Sequence, residues 1–173
     1  MKTISAEQLE KVHESLRALS ERDIKKFLRD FQKQQEPLLV YLSAVAEREE
    51  MNDPEYELLI DGSLLFWKLT RDASGRQKKL AMTEIDEADN ALLERLDQVA
   101  DAGDERLLEI GSQEVARLRS YDQPHLIDFL LRHVLETSPE SGIRKEMTGI
   151  LFLNLCNVLE LLLRASSVGE EYR

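Results

Sequence analysis

All four prolines of this chain stand directly before apolar runs with helical spacing: Pro37, Pro54, Pro124 and Pro139. Proline is well tolerated in the first turn of a helix, because the amide hydrogen that it lacks has no partner there. In Asp53-Pro54-Glu55 and Ser138-Pro139-Glu140 a capping side chain precedes the proline and an acid follows it. Since no run of strictly alternating β-branched residues indicates a strand, the sequence predicts an all-α protein.

Together with Ser5-Ala6-Glu7-Gln8, which has the spacing of a capping box, these signals predict eight helices. Their predicted ranges are 5–18, 20–35, 37–50, 53–71, 83–102, 104–120, 123–136 and 139–166. The helices over 53–71 and 139–166 are apolar on most faces, so we expect them to be the two central helices.

The predicted helix over 20–35 is amphipathic. Its apolar side consists of Ile24, Phe27, Leu28 and Phe31. This spacing is typical of a surface helix that buries one face.

Two landmarks recur at the same spacing: Pro37 and Pro124 are 87 residues apart, and so are Gly62 and Gly149. An ungapped alignment at this offset has eight identities in 63 positions. The recurrence favours an internal duplication. Each glycine either lets two helices approach closely or is simply tolerated inside a helix.

The duplication implies two similar four-helix halves, 1–71 and 83–166, in a single domain over 1–173. The segment 72–82 contains Ser74-Gly75 and several basic residues, so we expect an exposed loop between the halves. This loop is either a solvated linker or a docking segment for an acidic or phosphorylated partner.

The net charge of −11 is unevenly distributed. Residues 1–79 carry a net charge of −1, and residues 80–173 carry −10. Nucleic acids and anionic membrane surfaces would be repelled by the second half, so neither is an expected partner.

The most distinctive surface signal is an acidic stretch in the second half. Its candidate partner-binding residues are Glu84, Glu87, Glu94, Asp97, Asp101 and Glu105. It lacks the ligand spacing of a calcium loop. The stretch is either a solvated helix face or a surface that attracts a basic protein. In the second case, reversing the charges of Glu87, Asp97 and Asp101 should weaken partner capture.

The common sequence signatures of catalytic, nucleotide-binding and metal sites are missing. Glu10 and His13 have the Glu-x-x-His spacing of carboxylate-bridged metal sites, but the second such motif is absent, so a surface ion pair is favoured. His133 lies among apolar residues and is expected to be neutral and partly buried. The sequence therefore predicts no cofactor and no metal site.

Four polar residues follow one another down the last, mostly apolar helix: Asn154, Asn157, Glu160 and Arg164. Buried polar groups need partners, so this stripe is either the solvent edge of the helix or an interface with a second copy. The solvent edge is favoured. The alternative makes 139–166 a homodimerisation helix.

The location of the protein is inferred from what the sequence lacks. The N-terminus has no apolar stretch typical of a signal peptide. The most apolar segment, Met147 to Leu163, is shorter than the roughly 20 residues that a membrane span requires. The one cysteine, Cys156, has apolar neighbours and is expected in the core. We therefore expect a cytoplasmic protein.

These observations favour a soluble cytoplasmic interaction or regulatory module without catalytic activity, presenting an acidic helical face to a basic partner. The alternative is a helical-bundle enzyme or small-ligand or metal binder. Its site would lie between the two halves and would use Glu10, His13, His125 or His133.

Overall fold

The computed structural model describes residues 1–97, 104–135 and 141–167, without the side chains of 104–107 and 135. Within these residues the protein contains helices and no β-strand. The helices are α1 (Ala6–Arg17), α2 (Glu21–Arg48), α3 (Asp53–Ser74), α4 (Met82–Asp97), α5 (Asp104–Arg119), α6 (Pro124–Leu135) and α7 (Lys145–Ser167). The all-α prediction is confirmed, whereas the internal duplication stays a prediction.

The predicted second and third helices form one kinked helix, α2. Gln35 has the non-helical angles φ −136° and ψ 44°, two residues before Pro37. Proline removes a backbone hydrogen bond and its ring clashes with the preceding turn, so the helix bends there. The seven observed helices thus differ from the eight predicted because this break is a kink and not a connection.

The connection between α3 and α4 is held against the rest of the protein. The side chain of Gln35, at the kink of α2, accepts from the backbone N–H of Leu80 (3.0 Å) and donates to the carbonyl of Lys78 (2.9 Å). The N–H of Lys78 donates to the carbonyl of Ala165 (3.0 Å). Leu80 is buried. The prediction of an exposed loop over 72–82 is therefore wrong for Leu80, because its side chain belongs to the core.

The last helix begins later than predicted, at Lys145 instead of 139. Pro139 lies outside the described residues. Gly142 has a positive φ of 79°, and the N–H of Arg144 donates to a carboxylate oxygen of Glu55 at 2.9 Å. These two features give the chain before Lys145 a non-helical path against α3.

Helices α3 and α7 pack against each other at the centre of the protein, as expected from their apolar faces. A Cβ atom built on Gly62 would lie 2.9 Å from Cδ2 of Leu155, so α3 approaches α7 closely at a residue without a side chain. Helices α4, α5 and α6 also pack against α7. Although α7 is long and apolar enough to span a membrane, 78% of its apolar window is buried, which is compatible with a soluble protein.

The N-terminal segment is fastened to the turn between α5 and α6. The backbone N–H of Ile4 donates to Oε1 of Gln123 (2.9 Å), and Nε2 of Gln123 donates to the carbonyl of Lys2 (3.2 Å). Ile4 and Gln123 are both buried. The first helix is thereby positioned beside the second half of the chain.

Candidate functional site

A groove of about 500 Å³ lies between α1 and the first half of α2, with α3 as its floor. We call it the α1–α2 groove. Its lining is mostly apolar, with four polar residues, and consists of His13, Leu16, Arg17, Leu19, Ile24, Phe27, Leu28, Asp61, Leu64, Leu65 and His133. Both the volume and the composition are typical of sites for small organic ligands.

The groove exists because α1 and α2 pack against different neighbours. Helix α1 packs on α3 and α6, whereas α2 packs on α3 and α4. The amphipathic face of α2 is therefore only partly covered: Phe31 is buried, but Ile24 is 41% and Leu28 is 37% exposed. The expectation that one whole face of this helix is buried holds for Phe31 and is wrong for these two residues.

Two histidines from opposite halves of the chain meet at one end of the groove. The ring centroids of His13 and His133 are 6.0 Å apart, and the ring of Phe129 lies 5.2 Å from His13 and 4.9 Å from His133. The other two candidates for a site between the halves are exposed elsewhere, since His125 lies in the first turn of α6 and Glu10 on the outer face of α1. Among the described residues, no ion pair joins Glu10 to His13, so that predicted pair is wrong.

Charges around the histidines shift the pKa of their neighbours. Burial lowers the pKa of His133, and the positive charges of His13 and Arg17 lower it further. Desolvation raises the pKa of the exposed Asp61, and Glu57 one turn earlier raises it further, while His13 opposes the rise. In the part of the chain that the structure describes, no three His, Cys, Asp or Glu residues are arranged to hold a metal ion.

The stability of the protein is expected to fall as the pH drops below the ordinary histidine pKa of 6.5, in part because of His133. Its folded-state pKa is lowered, so the unfolded chain takes up the proton first and stabilisation is lost as the pH falls from 6.5 through the folded pKa. One proton taken up on unfolding changes the free energy of unfolding by at most about 1.4 kcal/mol per pH unit. Denaturant unfolding between pH 7.5 and 5 should give a shallower slope for His133→Gln than for wild type.

The control for this prediction is His125→Gln, because His125 is an exposed histidine on the same helix. His13 and Arg17 face His133 from α1, and Asp61 faces the same cluster from α3. Equal slopes for His133→Gln and wild type would show that burial of His133 does not set the acid sensitivity.

A second cluster of polar groups joins α4, α5 and α7. Glu160 accepts from Arg117 Nη2 (2.6 Å) and from the Tyr121 hydroxyl (3.2 Å), and it also pairs with Arg164. Glu114 pairs with Arg117 and with Arg95, whose Nε lies 3.2 Å away. We call these residues the charge cluster. Because Glu114 and Glu160 are both buried, their charges are balanced within the protein.

The polar stripe on α7 is thus not the solvent edge of the helix, and that prediction is wrong. Asn154, Asn157 and Glu160 are buried, and only Arg164 is exposed. The Tyr41 hydroxyl donates to Oδ1 of Asn154 (3.0 Å) and accepts from Nδ2 of Asn157 (3.2 Å). Burial raises the pKa of Tyr41 and keeps this hydroxyl neutral.

The enclosure of α7 bears on two further predictions. Helices α3, α4, α5 and α6 of the same chain pack on α7. The described part of α7 therefore has no exposed apolar face through which 139–166 could form a homodimer. Cys156 is buried, and burial raises the pKa of its thiol well above the ordinary value. The expectation of a core cysteine is confirmed.

The acids of α4 divide into two groups. Glu84 accepts from the N–H of Ala81 (2.9 Å) and pairs with Lys78 (3.1 Å), contacts that lower its pKa. Asp89 pairs with Arg48 at 2.7 Å. The remaining candidates form what we call the α4 acidic face: Glu87, Glu94 and Asp97, which are exposed.

The structure changes the set of candidate acidic residues. Asp101 and the side chain of Glu105 lie outside the described residues. Glu84 and Glu87 line a crevice of about 260 Å³ that also reaches Arg117, Asn157 and Glu160. The acidic face therefore adjoins the charge cluster.

Sequence reasoning did not identify Asp61, Ile24 and Leu28 as groove residues. The amphipathic pattern of α2 contains both apolar residues, but a periodic pattern marks a face without indicating what covers it. Asp61 has no local signal, because its role depends on α1 packing against α3 and on Phe129 of α6 lying beside Phe66 of α3.

Comparisons with protein-family models, with curated proteins and with solved structures found no match to this chain. The groove, the charge cluster and the acidic face are thus the features of this protein that bear on its function.

Proposed function

We propose that this protein is a cytoplasmic, non-catalytic interaction module that presents the α4 acidic face to a basic partner protein. The observation that carries this proposal is the exposure of Glu87, Glu94 and Asp97 at helical spacing. Residues separated by three or seven positions share one side of a helix, so the three carboxylates form a row. None of the ion pairs found within the described residues involves these three acids.

The only basic residue of α4 does not neutralise this row. Arg95 is 27% exposed at its side chain and pairs with the buried Glu114, on the inner side of the helix. The second half of the chain also carries most of the net negative charge. A field of one sign over a surface accelerates encounter with an oppositely charged partner.

Reversing the three charges, as Glu87→Lys, Glu94→Lys and Asp97→Lys, should weaken capture of a basic partner at least about tenfold at low salt. The reason is that each substitution turns an attraction into a repulsion. The measurement is quantitative capture from native lysate at low and high salt, comparing the variant with wild type.

The matched control reverses three scattered exposed acids, Glu10, Glu47 and Asp128. Both triple variants raise the net charge from −11 to −5. Partners that are lost only with the α4 variant, and whose wild-type capture weakens with salt, support the proposal. Partners that both variants retain, or that both lose equally, contradict it.

The second candidate is a small-ligand binder with its site between the two halves of the chain. The observation that favours it is the 6.0 Å separation of the His13 and His133 rings at the end of an apolar groove. Nucleophilic catalysis by a cysteine or serine is not proposed, since neither residue type lines this groove.

A further inference from the structure

The α1–α2 groove is asymmetric along its length. Its polar residues His13, His133, Arg17 and Asp61 lie close enough to interact with one another and form its polar end. Its apolar part contains Leu16, Leu19, Ile24, Phe27, Leu28, Leu64 and Leu65. A site with an apolar wall and a few polar groups collected at one end matches a molecule with an apolar chain and one polar head.

The exposed apolar groups of α2 belong to the wall of this groove. Ile24 and Leu28 are two of the few large apolar residues that are strongly exposed in the described chain. Exposed apolar residues scattered singly need no explanation, but here two lie one turn apart and face the same concave surface. An apolar chain in the groove would remove both from water.

The charge around the groove differs from that of the whole protein. Residues 11–33, which contain the end of α1 and the first half of α2, carry seven basic and four acidic side chains. The chain as a whole has a net charge of −11. Four of the seven basic residues line a separate pocket, namely Arg22, Lys26, Arg29 and Lys33. The arginine that lines the groove itself is Arg17, and it favours an anionic head group beside it.

The groups at the polar end suit a carboxylate. Arg17 can donate two parallel hydrogen bonds to it, and the imidazoles of His13 and His133 can each donate one. Asp61 would repel it, so the head group is expected nearer to Arg17 than to Asp61.

We propose that the α1–α2 groove binds a single-chain carboxylate of the fatty-acid class, with the acyl chain between α1 and α2 and the carboxylate beside Arg17 and His13. This binding is independent of the α4 acidic face. A small molecule suits the groove because the volume of about 500 Å³ and the mostly apolar lining lie within the range of small-ligand sites.

The test is a titration with octanoate, decanoate and dodecanoate below their micelle concentrations. Affinity should increase by about fourfold for each added methylene group until the groove is filled. Trp67 is the only tryptophan, and its ring lies 5.2 Å from that of the groove residue Phe27. Its fluorescence therefore reports binding, and calorimetry provides an independent affinity.

Substitutions on the two parts of the groove should have different effects. Ile24→Gln and Leu28→Gln should weaken binding of every chain by roughly threefold to tenfold, because each removes apolar contact. Arg17→Gln should lower the affinity for decanoate about tenfold and leave the affinity for the matched alcohol, decanol, unchanged. Asp61→Asn should strengthen decanoate binding, since it removes the opposing charge.

The matched control is Val40→Gln, because Val40 is an exposed apolar residue on the second half of α2, outside the groove. It should bind decanoate like wild type. All five substituted residues have exposed side chains, and circular dichroism confirms that each variant is folded.

Four outcomes would overturn the proposal. They are no saturable binding of any carboxylate, equal affinity for decanoate and decanol, equal weakening by Val40→Gln and the groove variants, and tighter binding of decylamine than of decanoate. Vesicles of anionic phosphatidylglycerol are a further comparison. Binding to vesicles without binding to free decanoate would assign this face to a membrane surface and would also contradict the proposal.

Discussion

Replacing Glu55 with alanine is expected to lower the free energy of unfolding by about 3 kcal/mol. For a protein of this size, that corresponds to a fall in Tm of roughly 6–12 °C. Glu55 is completely buried, and its carboxylate accepts hydrogen bonds from Arg144 Nε (2.9 Å), Arg144 Nη2 (2.7 Å) and the backbone N–H of Asn52 (3.0 Å). The substitution removes one of the two hydrogen bonds of the capping box of α3 and the contact that positions the start of α7.

The matched control is Glu57→Ala, an exposed acid two residues away on the same helix, for which a change within about 0.5 kcal/mol is expected. Chemical denaturation at pH 7 measures both variants. A loss below about 1 kcal/mol for Glu55→Ala would show that its hydrogen bonds contribute no more than those of a surface group.

The pH dependence provides a second check on Glu55. Hydrogen bonds from Arg144 lower its pKa from the ordinary 4.5 to about 2, against the opposing effect of burial. Because the folded pKa lies below the unfolded one, the stabilisation is present above pH 4.5 and is lost as the pH falls towards 2. The difference between wild type and Glu55→Ala should therefore shrink over this range, and the difference between wild type and Glu57→Ala should not.

Replacing Glu160 with leucine is expected to cost about 3–5 kcal/mol, because it leaves Arg117 and Arg164 without their shared carboxylate. Arg117 keeps its ion pair with Glu114 but loses the carboxylate that lies 2.6 Å from its Nη2. Arg164 can turn to water, as its side chain is 57% exposed. Thermal and denaturant unfolding measure the loss.

A double-mutant cycle separates the ion pair from simple packing. Arg117→Met combined with Glu160→Leu removes both charges and should cost less than the sum of the two single changes, by about 1–3 kcal/mol. In the double variant Glu114 still has Arg95 at 3.2 Å. If the stability losses of the two single variants add up to that of the double variant, the charges of Arg117 and Glu160 do not stabilise each other.

Much of the helical framework could be predicted from the sequence, because helix starts are local signals. Ser5 and Gln8 form the predicted capping box, and Pro54 lies in the first turn of α3. Pro37 marks a real interruption, but whether a proline separates two helices or bends one depends on packing around it. Here the buried side chain of Gln35 is used to hold the following connection.

The polar contacts could not be predicted, because they join distant positions. Tyr41 and Asn154 are 113 residues apart, and Glu55 and Arg144 are 89 apart. The pattern of α7 correctly marks Asn154 and Asn157 as different from their neighbours, but periodicity does not reveal that a tyrosine from α2 meets them. A polar stripe on an apolar helix therefore indicates either an edge exposed to solvent or polar partners within the core.

The candidate binding site could also be predicted only in part, because it is formed by distant parts of the sequence. His13 and His133 were individually recognisable as candidates, and a site between the halves was one of two interpretations. Their proximity depends on how α1 lies against α6. The amphipathic pattern of α2 predicted a buried face, whereas the unequal coverage of that face produces the groove.

The attachment of Ile4 to Gln123 has a consequence during synthesis on the ribosome. These two residues are 119 positions apart, so the hydrogen bond that fastens the start of α1 to the turn between α5 and α6 cannot form until Gln123 has been translated. At about 5–20 residues per second, synthesis of the residues between Ile4 and Gln123 takes several seconds. Helix α1 can pack on α3 before then, but its contacts with α6 cannot form. The end of the groove that His133 of α6 lines is therefore completed only after this delay.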